Sequence, residues 1–305
     1  MSAPAEGLSV LLTGATGFVG SRLAPALEQA GRRVRAMTRH PDDYTGAGEA
    51  VYGDVGQPDS LRAALDGVDV ALYLVHSLGE ADFEQRDADA ASAFAAAAEE
   101  AGIQQLVYLG GLGGEKDLSA HLRSRREVEG LLAATEVPLT VLRAAIIVGA
   151  GGISWELTRQ LVKNLPAMVV PHWATTRTQP IAIDDVIRYL VGVVGNAEAY
   201  GRTFEIGGAD RLTYTAMLQQ AAEEINGSPL PIVEVPVLTP RLSSYWISLV
   251  TDVDPTTARN LIDSMRNEVL QNDTSIRDLV PGEPLGYREA VRLALGERLR
   301  AGEKP

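Results

Sequence analysis

The stretch "LLTGATGFVGSRL", Leu11–Leu23, decides how the rest of the chain is read. An apolar run ends at Thr13, and glycines at positions 14, 17 and 20 lead into a segment with helical character. The spacing G-x-x-G-x-x-G suits a strand that turns sharply into a helix. The first glycine permits the turn, the second lets a pyrophosphate approach the backbone, and the third lets helix and strand pack closely. The free N–H groups and positive dipole end of that helix then receive the phosphates. Glycine-rich turns without ligands share this spacing, so the flanking pattern decides between the two. The expected contacts are Thr13, Gly14, Thr16, Gly17, Phe18, Val19 and Gly20.

Outward from this loop, short apolar runs alternate with longer amphipathic ones. The strands expected are Leu8–Thr13, Val34–Thr38, Ala50–Tyr52, Val70–Val75, Gln105–Leu109 and Leu139–Arg143. The helices expected are Gly17–Ala30, Pro58–Ala64, Phe83–Ala101 and Ser119–Ala134, with Gly31, Gly67 and Gly102 where helices should stop. Such alternation predicts an α/β fold of right-handed βαβ units on a doubly wound parallel sheet. After Gly149 the pattern loosens. "TQPIAIDDVIRYLVGVV" predicts a strand and a helix capped by Asp184 or Asp185, and "RTFEIGG" another strand. Further helices are expected over Tyr214–Ile225, Pro240–Val250 and Tyr287–Arg300. The plan is a nucleotide-binding domain over 1–150, completed by about 178–207, with a smaller, mostly helical lobe from 151–177 and 208–305. A cleft between the two is the default ligand site.

The second strand, "RRVRAMTRHP", bears on which dinucleotide is bound. A site for NAD places an acid about 20 residues past the glycines, to hold the ribose 2′-hydroxyl. Here that window holds Thr38, Arg39 and His40. A guanidinium suits a 2′-phosphate, so Arg39 favours NADP over NAD, with Arg22 and Arg35 as further candidates. The alternative is that these arginines are solvated surface residues.

Composition narrows the classes. The 305 residues are 46% hydrophobic and 22% charged, ordinary for a globular chain. A net charge of −13 argues against nucleic-acid or anionic-membrane partners, which need a basic surface. Absence of cysteine excludes disulfides, thiolate catalysis and thiolate metal sites. "MSAPAEG" reads as a short polar leader, no run approaches the ~20 apolar residues of a membrane span, and a cytoplasmic protein with a small-molecule substrate is expected.

TGATGFVG, Gly53-Asp54, Val107-Tyr108 and "LRAAIIVG" resemble the short-chain dehydrogenase/reductases. "YLVHSLG", "YLGGLG" and "HLRSRREVE" are similar to their atypical, extended-like branch, the NmrA-like and YbjT-like NAD(P)-binding proteins. The resemblance covers nearly the whole chain and implies a Rossmann fold. It implies that Asp54 and Val55 flank the adenine, and that Leu74 and Val75 begin the path to the nicotinamide, which runs to Ser77. It does not carry the usual catalysis. Where active members have a Ser or Thr after the fifth strand, this chain has Gly110 and Gly111; where they have a Tyr and a Lys four residues on, it has His121 and Arg125.

Arg125 is left to hydrogen-bond the nicotinamide ribose, and it cannot give up its proton. His121 is a candidate general acid, since an unperturbed imidazole titrates near ~6.5. His76, one of four histidines, is a second candidate. The alternative for both is an ordinary polar residue at a loop or helix end. The histidine spacings do not suit a metal site, and none is expected. The run "EADFEQRDADA" predicts a solvated helix face with Phe83 turned inward, and "LTPRLSSYWISLV" an apolar stripe that either packs in the core or lines a pocket. Trp155, His172 and Trp173 are expected to overhang the cofactor. Two functions follow. One is an NADP(H)-dependent oxidoreductase reducing a small hydrophobic carbonyl or conjugated compound without the usual Ser-Tyr-Lys set. The other is a non-catalytic NAD(P)-binding redox sensor or assembly factor.

Overall fold

A computed structural model describes residues 7–77, 82–113, 118–235 and 251–303, apart from the side chains of His172 and Trp173. The helix and stripe expected within 238–250 lie outside the described residues, as does the overhang expected of His172 and Trp173.

Strand β1 (Ser9–Leu12) leads through the glycine loop into helix α1 (Gly20–Gln29). Then come β2 (Arg33–Thr38), β3 (Glu49–Tyr52), α2 (Pro58–Leu65), β4 (Val70–Tyr73), α3 (Phe83–Glu100), β5 (Gln105–Gly111), α4 (Ala120–Leu132) and β6 (Leu139–Ala144). With β11 (Thr203–Ile206) these strands form one seven-stranded sheet in the order β11-β6-β5-β4-β1-β2-β3, every neighbour parallel. The order reverses at β1, which pairs with β2 on one side and β4 on the other. This is the doubly wound Rossmann arrangement, and ligands in such sheets sit beyond the strand ends at the reversal.

Alternation along β1 explains why both faces are covered. Val10 and Leu12 join the core under α1 and α6 (Ile183–Val193), while Leu11 joins the core under α2, α3 and α4. All three are fully buried, which is why the run reads as continuously apolar. Helix α1 starts three residues later than expected, because Gly17 to Val19 are spent on the turn.

The second half is built on short pairs: β7 (Ile147–Val148) with β10 (Ile181–Ala182), the latter the strand expected in "TQPIAIDDV", and two unpredicted pairs, β8 (Met168–Pro171) with β13 (Ile232–Val235) and β9 (Arg177–Thr178) with β12 (Leu212–Thr213). Strands of two to four residues are too short to display a period. Around them pack α5 (Ile153–Asn164), α7 (Tyr214–Asn226), α8 (Pro255–Ser264) and α10 (Tyr287–Arg300), with a short α9 (Ile276–Leu279) between the last two. Their core includes Trp155, Tyr214, Met217, Ile262 and Tyr287. Trp155 is therefore a core residue, only 1% exposed, and not the overhanging ring expected from sequence.

Two further expectations are corrected. Helix α6 takes no side-chain cap; Ala182 stands at the cap position, and Asp184 and Asp185 lie in the first turn, where their charge meets the positive helix end. The acidic run is not wholly solvated. Phe83 turns inward as expected, but Asp87 is also buried and accepts hydrogen bonds from the Ser77 backbone N–H (2.8 Å) and the Ser124 hydroxyl (3.5 Å). No described helix is long and apolar enough to cross a membrane.

Candidate functional site: a cleft at the sheet reversal

The ends of β1 and β4 are stitched together by Thr13. Its hydroxyl donates to the Leu72 carbonyl (3.0 Å) and accepts from the Leu74 N–H (2.9 Å). Thr13 is fully buried and does not face the cleft; it fixes the floor beneath the glycine loop. Gly14 adopts a positive φ of 64°, and a Cβ there would lie 3.1 Å from the Leu74 carbonyl oxygen. At Gly20 a Cβ would fall 2.1 Å from the Gly14 carbonyl oxygen, so loop and helix meet backbone to backbone. At Gly17 a Cβ would meet only that same oxygen, at 3.2 Å, and would otherwise stand in open space. No side chain caps α1. The loop is thus a cradle a Cβ would fill, below an uncapped helix start, and it fits a dinucleotide pyrophosphate.

A cavity of about 550 Å³ opens beside this loop. It brings together the expected residues Gly14, Thr16, Gly17, Phe18, Val19, Gly20, Leu74, Val75, His76, His121 and Arg125. Phe18 is seated against glycines: a Cβ at Gly152 or Gly149 would come within 2.8 or 3.1 Å of its ring. Arg22 lies over that ring, 4.9 Å from its centre, and donates to the Phe18 and Ala150 carbonyls (2.8 Å each) and to Glu297 of α10. It braces the loop from behind and does not point toward a ribose phosphate. Arg35 is likewise engaged elsewhere, with the Asp66 carbonyl and Glu49.

Arg39, Asp54 and Val55 lie outside this cavity, following β2 and β3. Because β1, β2 and β3 are parallel, all three share the strand-end edge that carries the glycine loop. Arg39 is exposed and makes no hydrogen bond or ion pair with another described residue. Asp54 spends its carboxylate on the turn into α2, accepting from the Gly56 N–H (2.9 Å) and the Gln57 side chain (3.4 Å). Val55 packs against the core under α2.

The far wall comes from β5 and α4. Gly110 and Gly111 end β5 at the cavity, and a Cβ on Gly111 would press to 2.9 Å from Leu122. Ser119 caps α4 by accepting from the Leu122 N–H (3.3 Å). One turn apart on α4, His121 and Arg125 both line the cavity. The Arg125 guanidinium interacts with the buried Tyr108 hydroxyl and acts electrostatically on Asp87, His76 and His121. Burial and then Arg125 push the His121 imidazole down to about 3. His76 opens onto the cleft, yet Arg125, burial of its surroundings and His121 hold it well below its usual range. These surroundings disfavour the charged form of both rings, so the imidazolium acid expected of His121 does not fit its place in the fold. Asp87 pins the Leu74–Ser77 segment from behind, its own pKa raised by burial.

The rest of the lining is mostly apolar and was missed in the sequence: Ile146, Ile153, Leu261, Met265 and Val269, with Tyr214 and Ser264 among the polar exceptions. The helix bearing Leu261 and Ser264 did carry a signal. Asp254 caps α8 by accepting from the Thr257 N–H (2.9 Å), and Pro255 opens its first turn.

The chain belongs to the NAD(P)H-binding family, whose profile matches residues 14–167, just over half its length. The atypical short-chain dehydrogenase/reductase resemblance agrees with that assignment. Among curated relatives it is 29% identical over 243 residues to the ceramide reductase of Caulobacter vibrioides, covering 75% of this chain and 74% of that one. It is 29% identical over 241 residues to the (4-alkanoyl-5-oxo-2,5-dihydrofuran-3-yl)methyl phosphate reductase of Streptomyces griseus, covering 75% and 77%. Among solved structures, the Citrobacter sp. triphenylmethane reductase complexed with NADP(H) has the same fold, with a TM-score of 0.77, 19% identity, and coverage of 94% and 100%.

Proposed function

We propose that this protein is an NADPH-dependent reductase of a small hydrophobic, conjugated acceptor. One observation carries the reading: the cavity joins a dinucleotide cradle to an apolar wall, and its two histidines are held in the neutral form rather than as imidazolium acids. Once bound, the reduced nicotinamide supplies a hydride. The protein's part is to position the reactants and to favour the charge that develops. In a conjugated carbonyl, hydride adds at the β-carbon and the double-bond electrons move to oxygen. The enolate then takes its proton from water, so no side-chain acid is required. Arg125, always cationic and on the cavity wall, grips the nicotinamide ribose and favours that negative charge. Arg39 meets the 2′-phosphate at the adenosine end. Both 29%-identical relatives are reductases, which supports the reaction class.

The test is NADPH oxidation against matched enones, quinones and saturated ketones. Turnover of the conjugated members, with a rate that is flat as pH crosses ~6.5, is the expected result. Tight NADPH binding with no turnover of any member would favour the non-catalytic sensor or assembly factor instead. A separate expectation concerns cofactor choice. Arg39→Ala should weaken NADPH by ~1.5–3 kcal/mol, the scale of a charged hydrogen bond, and leave NADH nearly unchanged by calorimetry. Equal parent affinities for the two cofactors would remove the basis for choosing NADP.

A further inference from the structure

Helix α8 reaches across from the smaller lobe and touches the start of α4. Three hydroxyl and imidazole groups meet there. The Ser264 Oγ lies 2.9 Å from the Asn260 carbonyl, 3.0 Å from the Ser119 Oγ and 3.4 Å from the His121 Nδ1. The Ser119 backbone N–H also donates to the Asn267 side chain (3.2 Å), which holds the two segments in register.

Counting protons points to one arrangement. Ser264 has one hydroxyl hydrogen and two lone pairs. Its shortest contact, to the Asn260 carbonyl, can only be a donation, because a carbonyl only accepts. The other two contacts must then be acceptances. Ser119 can supply one, since its own oxygen is already accepting from the Leu122 N–H. His121 is placed to supply the other through an N–H on Nδ1. Burial and Arg125 keep the ring neutral, so a proton on Nδ1 leaves none on Nε2. That Nε2 is buried and has no hydrogen-bond partner among the described residues, although the ring lines the cavity. An acceptor left unpaired away from water costs roughly 1–3 kcal/mol, so a ligand that supplies a donor recovers that loss.

We propose that Ser264 is a positioning residue: it holds His121 in the Nδ1–H tautomer, so that the Nε2 lone pair receives an O–H or N–H donor from whatever occupies the cavity. The inference deepens the reductase reading and rests on it for the identity of the ligand, but not for the tautomer. It also gives Ser264 and Ser119 a use that the hydride step leaves unassigned. The charged and titratable groups facing His121 are Arg125 on its own helix and His76 from the segment after β4. Both discourage a second proton on the ring. The donor has two possible sources, a cofactor hydroxyl or carboxamide, or a hydroxyl or amide on the substrate.

Long-range nitrogen–proton NMR of the full-length, ¹⁵N-labelled protein reads the tautomer directly. Only four histidines contribute, and His121→Gln identifies the signal. The expected spectrum at neutral pH has a protonated Nδ1 and a bare Nε2. In Ser264→Ala the bias should shift toward a mixture or the Nε2–H form, and Ser264→Thr should restore it. A parent His121 in the Nε2–H or imidazolium form, or an unchanged pattern in Ser264→Ala, would overturn the assignment. The ligand arm uses NADP⁺ alone, then NADP⁺ with phenol, then NADP⁺ with anisole. Movement of the Nε2 resonance toward the hydrogen-bonded range with NADP⁺ alone places the donor on the cofactor. Movement with phenol but not anisole places it on the substrate side. No movement in any of the three refutes the receptor role, whatever the turnover panel returns.

Discussion

Gly17→Val is expected to fold as the parent does and to lose NADPH binding by more than about 100-fold, or roughly 3 kcal/mol, in calorimetric titration. The Gly17 Cβ direction is free of protein apart from one contact at 3.2 Å, so the added methyls occupy the pyrophosphate's place and disturb little else. Gly20→Ala makes the contrast. There a single methyl would stand 2.1 Å from a backbone oxygen and 2.8 Å from the Ala15 Cα, and neither can step aside. That variant should lose binding and also about 1–3 kcal/mol or more of stability, the range of an overpacked core. Retained NADPH affinity in folded Gly17→Val would mean that the loop is only a turn.

The second large effect is on acid stability. The folded His121 pKa of about 3 lies below the ordinary 6.5, so the unfolded chain takes up this proton first as pH falls. The stability due to the neutral, buried ring is complete above about 6.5 and is lost progressively from there down to about 3. At 1.36 kcal/mol per pH unit the whole span is at most about 5 kcal/mol, and the partial exposure of the ring lowers this to roughly 2–4. His76 acts in the same direction. Urea unfolding at a series of pH values should therefore give a steeper loss for the parent than for His121→Leu. Parallel curves for the two proteins would mean that the imidazole titrates normally in the fold.

The sheet was legible because its central strands are buried on both faces and its helices show a 3.6-residue period. Val10 and Leu12 read correctly as strand for the same reason that they pack under α1. The cavity's near side was legible because three glycines, each with a backbone reason, fall in one short motif. The far side was not. Leu261, Ser264 and Met265 come from a helix more than 100 residues beyond α4, and no local period links the two segments. The sequence places His76 and His121 as candidates but carries no signal of their charge state. An imidazole's charge depends on what the fold places around it, and here that is Arg125 and a dry helix junction. Arg22 illustrates the same limit: its place in the sequence suggested a phosphate ligand, while its partners are Phe18, Ala150 and Glu297.

That Arg22 brace has a consequence for how the molecule is made. Its partner Glu297 stands 275 positions downstream, on α10, which is itself tied to α7 by Arg292 and Glu224 (2.8 Å) and to α5 by Arg298 and Glu156 (2.9 Å). During synthesis the ribosome releases the glycine loop long before it releases the helix that steadies it. A nascent chain halted after β6 would carry every glycine of the motif and an unsupported Phe18. The loop's full bracing is therefore completed only when the last helix has been made and docked.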